Sequence, residues 1–154
     1  MNAPMYRPPD PAKGCIFCRI VAGQATASRI LEGPDCLVFM DLFPASKGHT
    51  LIIPKPHSES LFETPVEALS RVMAISKPLA EALRAVFEPD GLSVIQLNGA
   101  AAGQTVFHYH MHLIPRWFGQ PLHIHGRRKA ERARLDTQAA TVRAALLDVM
   151  QATG

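Results

Sequence analysis

The sequence predicts an α+β domain in which an antiparallel sheet packs against helices on one face. Residues 36–54 and 92–97 contain short runs rich in β-branched and aromatic residues, bounded by turn residues, which is typical of strands. Residues 64–87 place apolar side chains at helical spacing, and a second helical pattern follows residue 118. The 154 residues, of which 47% are hydrophobic, can bury one core, so we expect one domain with a tail.

The first predicted elements are a short helix and two strands. Ile16–Val21 is expected to form the helix. The runs 36–41 and 49–54 lie on either side of Pro44 and Gly48, which indicates paired strands joined by a turn.

A long helix and a third strand follow. Residues 64–67, Thr-Pro-Val-Glu, match a capping box with proline at the first helical position, so the helix is predicted to begin there. It should run to about Phe87, with a kink at Pro78. Residues 92–97 predict the third strand, and the loop 98–103 leads from it into a histidine-rich strand.

Histidines occupy alternate positions of that last strand, at 108, 110 and 112. Side chains at i, i+2 and i+4 of a strand share a face, so the three imidazoles are expected to form a row, with Tyr109 on the core side. A metal site formed by all three histidines would be strained, because the Cα atoms of His108 and His112 would lie about 13 Å apart along a strand. Three unrelated surface histidines are the less favoured alternative. We favour a row that acts together on an anionic substrate.

The loop before the row indicates which anion. Asn98-Gly99 and Gly103-Gln104-Thr105 supply backbone N–H groups, a carboxamide and a hydroxyl directly upstream of the histidines. These groups suit phosphate oxygens.

The C-terminal region combines a basic segment with an amphipathic helix. The net charge is only +3, and much of the positive excess lies at Arg127, Arg128, Lys129, Arg132 and Arg134. We interpret this segment as a solvated region around the tail helix and expect no nucleic-acid partner, because interleaved aromatics are missing. Apolar residues at helical spacing predict the helix itself: Leu135, Ala139, Val142, Leu146 and Val149.

Targeting signals are not evident, and the cysteines favour a reducing compartment. No apolar run approaches the roughly 18 residues that span a bilayer, so no membrane association is expected. The proline-rich residues 1–13 are expected to be a disordered leader. Three cysteines are not a secreted disulfide framework, so we expect a cytoplasmic protein.

The pair Cys15 and Cys18 has three interpretations from the residues alone. The cysteines could be ordinary small helix residues, a redox pair, or half of a Cys₂His₂ zinc site, and the CxxC spacing does not choose between them. Cys36 is expected in the core, and His123 and His125 are expected to be tail residues rather than ligands.

Four segments together resemble the histidine-triad (HIT) superfamily of nucleotidyl hydrolases and transferases. They are residues 15–18, 39–42, 47–55 and 103–114, which occur in the family's order. The likeness covers about residues 14–118, with a C-terminal extension at 119–154. The third row position is histidine, whereas the transferase branch typically has glutamine, so the bacterial Hint-type hydrolases are the most similar branch. The resemblance implies a HIT-like fold with about five strands, a short N-terminal helix, one long helix and a tail helix.

The resemblance also implies a mechanism. In the family the middle histidine, here His110, attacks an α-phosphorus and forms a covalent nucleotidyl-imidazole that water then hydrolyses. Its Nδ1 would donate to the backbone carbonyl of His108, and His112 would contact the phosphoryl oxygens. Thr105, where family members commonly have serine, would assist the leaving group.

Nucleotide and metal sites are implied in the same way. Asp41 would bind the ribose hydroxyls. The purine pocket would be formed by Phe17, Phe39 and Leu42, which without the resemblance would be assigned to the core. The implied nucleotide-binding residues are Phe17, Phe39, Asp41, Leu42, Asn98, Gly103, Gln104, Thr105, His110 and His112. Some bacterial members with a similar Cys-Ile-Phe-Cys segment bind zinc, and the corresponding structural ligands here are Cys15, Cys18, His57 and His108.

The predicted activity is hydrolysis of a purine nucleotide conjugate of the AMP-phosphoramidate type. A dinucleoside polyphosphate hydrolase and a non-catalytic nucleotide-binding module that signals through partners are the alternatives. The family comparison also implies a homodimer. The helix at 64–87 has more apolar positions than one stripe requires, which favours a second packing surface; the competing explanation is cover by the tail helix of the same chain.

Overall fold

The computed structural model describes residues 14–154, so the predicted leader at 1–13 lies outside the described residues. In this part of the chain, five antiparallel strands form one sheet in the order β1-β2-β3-β5-β4. The strands are β1 Arg29–Glu32, β2 Cys36–Met40, β3 Thr50–Pro54, β4 Gly91–Gln96 and β5 Met111–Arg116. The helices are α1 Ile16–Val21, α2 Val66–Phe87 and α3 Arg132–Ala152. The predicted α+β class, with about five strands, is confirmed.

Strand alternation divides the buried residues between the two faces of the sheet. Along β2, Val38 and Met40 belong to the core formed with α2 and α3, whereas Leu37 and Phe39 pack with α1. The sheet is therefore covered on both faces, and the expectation of helices on one face is wrong for α1. This placement leaves a space beside α1 on the second face of the sheet.

The start of the long helix differs from the prediction. α2 begins at Val66, and no side chain caps its N-terminus. The Thr64 hydroxyl instead donates to the carbonyl of Ser60 at 2.7 Å, within the preceding loop. The predicted capping box is therefore wrong, because the Thr64 hydroxyl is hydrogen-bonded within the loop and does not cap the helix. Pro78 lies inside α2, which remains helical on both sides.

The histidine strand is shorter than predicted. β5 begins only at Met111, so His112 lies in the strand while His108 and His110 precede it. The chain leaves the ladder because the N–H of Tyr109 donates to the Ser58 carbonyl at 2.7 Å instead of to β3. The alternation nevertheless continues, since Tyr109 is buried in the helical core and the three histidines face away from it.

The tail helix belongs to the core. Leu135, Ala139, Val142 and Leu146 are buried against α2 and the first two strands, as the helical spacing predicts. This packing covers part of the apolar surface of α2. No helix among the described residues has both the length and the apolar character needed to cross a bilayer.

Candidate active site

A cavity of about 440 Å³ lies between α1, the end of β2 and the histidine segment. Seven residues that the sequence analysis assigned to catalysis or nucleotide binding line it together. They are Phe17, Phe39, Asp41, Leu42, Thr105, His110 and His112.

His110 is held with one ring nitrogen directed to the backbone. Its Nδ1 lies 2.6 Å from the carbonyl oxygen of His108. A carbonyl only accepts, so Nδ1 carries the proton and Nε2 has the lone pair. The ring is 4% exposed and packs edge-on against Phe17, with centroids 5.1 Å apart. His110 is therefore a fixed, neutral imidazole with a nucleophilic nitrogen.

His49, to which the sequence assigns no role, sets the tautomer of His112. The N–H of Ala45 donates to His49 Nδ1 at 2.9 Å, so the proton of a neutral His49 is on Nε2. That proton is donated to His112 Nδ1, also at 2.9 Å. The proton of His112 must then be on its own Nε2, a buried atom with no hydrogen-bond partner among the described residues. His112 thus offers a donor beside the ring of His110, and an unpaired buried donor is expected to bind a ligand oxygen.

Burial keeps these rings neutral. Desolvation lowers the pKa of His49 to about 2 and that of His112 to about 3, with the neighbouring histidines adding to the effect. Desolvation also lowers the pKa of His110, against the hydrogen bond to the His108 carbonyl. At neutral pH the rings therefore act through a lone pair and an N–H donor, not as cations.

The other end of the cavity combines an apolar wall with a carboxylate. Phe17 and Phe39 stack edge-on at 5.4 Å and form an apolar wall next to Asp41. One carboxylate oxygen of Asp41 accepts from the N–H of Phe43 at 2.8 Å. Burial raises the pKa of Asp41 from 3.8 to about 6, partly opposed by the Phe43 N–H and by His125.

Three residues of the predicted phosphate loop do not line this cavity. The Gln104 amide accepts from the N–H of Gly99 and donates to the carbonyls of Glu59 and Val106, so it holds the loop together. The Asn98 side chain exchanges hydrogen bonds with Gln96 and accepts from the N–H of Leu61.

Gly103 is the third of these residues. It ends a short 3₁₀ helix with φ +98°, a conformation that favours glycine. Its carbonyl accepts from His125 at 2.8 Å.

The C-terminal segment forms part of the cavity wall, which the sequence analysis did not anticipate. His125 is not a simple tail residue: it lines the cavity, and its ring centroid is 5.7 Å from that of His112. Two backbone hydrogen bonds anchor this segment. The N–H of Gly126 donates to the carbonyl of Phe43, and the N–H of Ala130 donates to the carbonyl of Leu42, each at 2.9 Å. The glycine after His125 was the available signal, because glycine often marks a close backbone approach.

Cys15, Cys18, His57 and His108 form a second cluster behind His110. Their four donor atoms lie within 4.8 Å of one another. His108 donates through Nε2 to the Pro54 carbonyl at 2.7 Å, so its Nδ1 lone pair faces both thiols at 3.6 Å. Cys18 Sγ is 3.2 Å from His57 Nδ1. This donor set fits tetrahedral zinc, with a backbone carbonyl that orients one histidine ligand.

The chemistry of the thiols agrees with that fit. Desolvation, together with Cys15, raises the pKa of the Cys18 thiol to about 11, so the thiol is protonated at neutral pH in the absence of a cation. A bound metal would displace that proton. Cys36 is buried in the core, as predicted.

Comparisons with known proteins identify relatives of the chain. A family model described as HIT domain matches residues 22–119. Protein hit of Bacillus subtilis is 44% identical over 106 residues, which cover 69% of this chain and 73% of that protein. Adenylylsulfatase HINT3 of Arabidopsis thaliana is 38% identical over 102 residues, covering 66% of this chain and 52% of that protein. A zinc-bound histidine triad family protein from Mycobacterium smegmatis has a TM-score of 0.79 and 38% identity, with 90% of this chain and 96% of that chain covered.

Proposed function

Because the chain belongs to the HIT domain family, we propose that it hydrolyses a purine nucleotide conjugate at the α-phosphate, with His110 as nucleophile. The observation that carries the proposal is the 2.6 Å hydrogen bond from His110 to the His108 carbonyl, which leaves Nε2 with its lone pair at a cavity wall. The similarity to an adenylylsulfatase supports adenylyl chemistry of this kind.

The reaction proceeds in two displacements at phosphorus. His110 Nε2 forms a bond to the α-phosphorus while the bond to the leaving group breaks, and the leaving atom retains that electron pair and takes up a proton from solvent. The Nε2–H of His112 stabilises the charge on the phosphoryl oxygens, and the Thr105 hydroxyl hydrogen-bonds the leaving group. Water then attacks the phosphorus and loses a proton to solvent while the bond to His110 breaks, which releases AMP and the neutral imidazole.

Nucleoside binding uses the other end of the cavity. Phe17, Phe39 and Leu42 enclose the purine, and the ionised carboxylate of Asp41 accepts hydrogen bonds from the ribose hydroxyls. Binding energy from this end positions the α-phosphate against His110.

We further propose that Cys15, Cys18, His57 and His108 hold a structural zinc ion. The similarity to a zinc-bound family member and the geometry of the four donors support this assignment. When bound, zinc would supply a rigid link between α1 and the histidine segment. His108 would then keep its carbonyl in place for His110. Zinc ligation requires reduced cysteines, which agrees with the proposal of a cytoplasmic protein.

A substrate panel tests the proposed function. We expect an AMP-phosphoramidate to be hydrolysed to AMP with a higher kcat/KM than diadenosine polyphosphates. A higher kcat/KM on the dinucleotides would assign the protein to polyphosphate hydrolysis instead. Tight AMP binding without turnover of any conjugate would contradict an enzymatic role and favour a nucleotide-binding module.

The raised pKa of Asp41 predicts pH-dependent nucleoside binding. Below about pH 6 the carboxyl is protonated and loses acceptor capacity, so affinity for adenosine should rise through pH 6 and level off above it. Adenosine is the appropriate ligand because it has no phosphate that titrates near neutral pH. Calorimetric titrations across this range should give a pH-dependent Kd for the native protein and a weak, flat one for Asp41→Asn.

The same substitution should raise stability. The pKa of this carboxyl is higher in the folded than in the unfolded state. The free energy of unfolding therefore falls as the pH rises from the unfolded-state pKa to the folded-state pKa, here by about 3 kcal/mol. Asparagine can still accept from the Phe43 N–H, so Asp41→Asn should melt at a higher temperature at pH 7.5. An unchanged or lower Tm would contradict the buried-charge interpretation.

We also propose a homodimer. The tail helix covers one side of α2, but Val66 and Met73 on α2 remain 70% and 57% exposed. The edge strand β4 leaves Val94 49% exposed. A two-fold partner that packs on α2 and pairs along β4 would bury these side chains.

Light scattering at micromolar concentration should give twice the chain mass of 16.8 kDa. Met73→Glu/Val94→Glu should give the monomer mass without loss of fold. A monomer mass for the native protein would refute the dimer.

A further inference from the structure

A second cavity adjoins the catalytic cavity on the side of the C-terminal segment. Its volume is about 520 Å³, and it shares His125 and Gly126 with the catalytic cavity. Gly126 packs tightly against the chain there, because a Cβ at this position would overlap the carbonyl of Pro44. His125 lies between the two cavities, with its ring centroid 5.7 Å from that of His112, so a substituent on a phosphate at His112 that extends past His125 is directed toward the second cavity.

The walls of this second cavity, called the basic cavity below, are positively charged. They include Pro44, Pro121, His123, His125, Arg127 and Arg128. No carboxylate lines the cavity, and within residues 14–154 no acidic side chain forms an ion pair with either arginine. Guanidinium groups match the geometry of carboxylate, sulfate and phosphate oxygens, so two unpaired arginines in one wall suit an oxyanion.

Arg132, in the same basic segment, behaves differently. Its guanidinium donates to the Ser28 hydroxyl at 3.1 Å and to the Thr26 carbonyl, which attaches the start of α3 to the chain before β1. Arg127 and Arg128 form no such hydrogen bond within the described part of the chain. Their charges are therefore not explained by the fold, whereas that of Arg132 is.

We propose that the basic cavity binds the leaving group of the substrate, and that this leaving group carries carboxylate, sulfate or phosphate charge. The inference rests on the proposed function and names the class of substrate for the same site. As His110 Nε2 bonds to the α-phosphorus, the electron pair of the breaking bond stays on the leaving atom, which takes up a proton from solvent. The charged remainder of the leaving group is held by Arg127 and Arg128 during this step.

A matched pair of substrates isolates the charge of the leaving group. Both are AMP-phosphoramidates with the same type of phosphorus–nitrogen bond, one formed with glutamate and the other with the diamide of glutamate. The intrinsic reactivity of each bond cancels when the ratio of the two kcat/KM values is compared between protein variants. We expect Arg127→Gln/Arg128→Gln to lower the ratio of glutamate to diamide by about tenfold, because the variant removes both guanidinium partners of the leaving-group carboxylates.

The matched control is Arg134→Gln, which removes an exposed arginine on α3 outside both cavities. It should change the ratio less than about twofold, and high salt should lower the ratio in the native protein but not in the double variant. An equal ratio in the native protein and the double variant would overturn the inference. If the native protein hydrolyses neither conjugate, the proposed function fails and the inference fails with it.

Inhibition by nucleotides distinguishes the possible sources of the charge. Adenylyl sulfate and ATP have their additional anionic groups attached to the α-phosphate, whereas adenosine 3′,5′-bisphosphate has its additional phosphate attached to the ribose. We expect the double variant to weaken competition by ATP and adenylyl sulfate relative to AMP. A selective loss of the bisphosphate instead would place the ribose side in the basic cavity and overturn the leaving-group assignment.

Discussion

His110→Ala is expected to lower kcat/KM for an AMP-phosphoramidate by about four orders of magnitude or more, because it removes the group that forms the covalent bond to phosphorus. AMP affinity should change by less than about tenfold, since the purine pocket and Asp41 are retained. Steady-state kinetics and calorimetry measure the two quantities separately.

His110→Asn is the matched variant for this prediction. Its side-chain amide can still donate to the His108 carbonyl, which preserves the hydrogen bond seen at 2.6 Å in the native protein, but it has no nucleophilic nitrogen. It should be as inactive as the alanine variant. Substantial turnover by His110→Asn would mean that His110 only positions another group.

Cys15→Ser/Cys18→Ser is expected to lower the Tm by about 10 °C or more and to abolish bound zinc. The pair contributes two of the four donor atoms, and the binding free energy of a structural metal is part of the folding free energy. Elemental analysis of native protein purified without added metal should give about one zinc per chain. Turnover should fall as well, because α1 also places Phe17 against the His110 ring.

Cys36→Ala provides the control for the zinc prediction. Cys36 is a buried thiol in the core, away from the cluster, so its loss should leave the zinc content unchanged. Zinc retained in the Cys15→Ser/Cys18→Ser protein, or a native protein that contains none, would contradict the assignment.

Local patterns were sufficient to predict the elements that frame the site. The apolar spacing of α2 and α3 and the β-rich runs of β2, β3 and β4 depend only on neighbouring residues. β1 was missed from the residues because Arg29–Glu32 has charged residues at both ends and only two apolar residues between them. The alternation of the histidines survived the early end of β5, because side-chain direction does not require ladder hydrogen bonds.

Contacts between distant residues could not be predicted in the same way. His49 and His112 are 63 residues apart in the chain, and they meet because β3 pairs antiparallel with β5 in the register Leu51 to His112. A single sequence carries no sign of that register. His125 reaches the site through backbone hydrogen bonds of the following residues, which are likewise invisible to side-chain patterns.

The basic segment shows a further limit of composition. The sequence predicts one solvated region for its five positive residues, yet they lie in different environments. Arg132 lines the catalytic cavity with its guanidinium anchored to the chain before β1, whereas Arg127 and Arg128 line the basic cavity without such an anchor. Charge counted along the sequence does not distinguish these environments, and only the fold does.

Covalent attack by His110 can be observed by rapid chemical quenching of a reaction with a conjugate labelled at the α-phosphorus, followed by peptide mapping. We expect label to become bound to protein within the first turnover, on the imidazole of His110, and to be absent in His110→Asn. Label on another residue, or complete hydrolysis through the first turnover with no label bound to protein, would contradict the covalent role of His110.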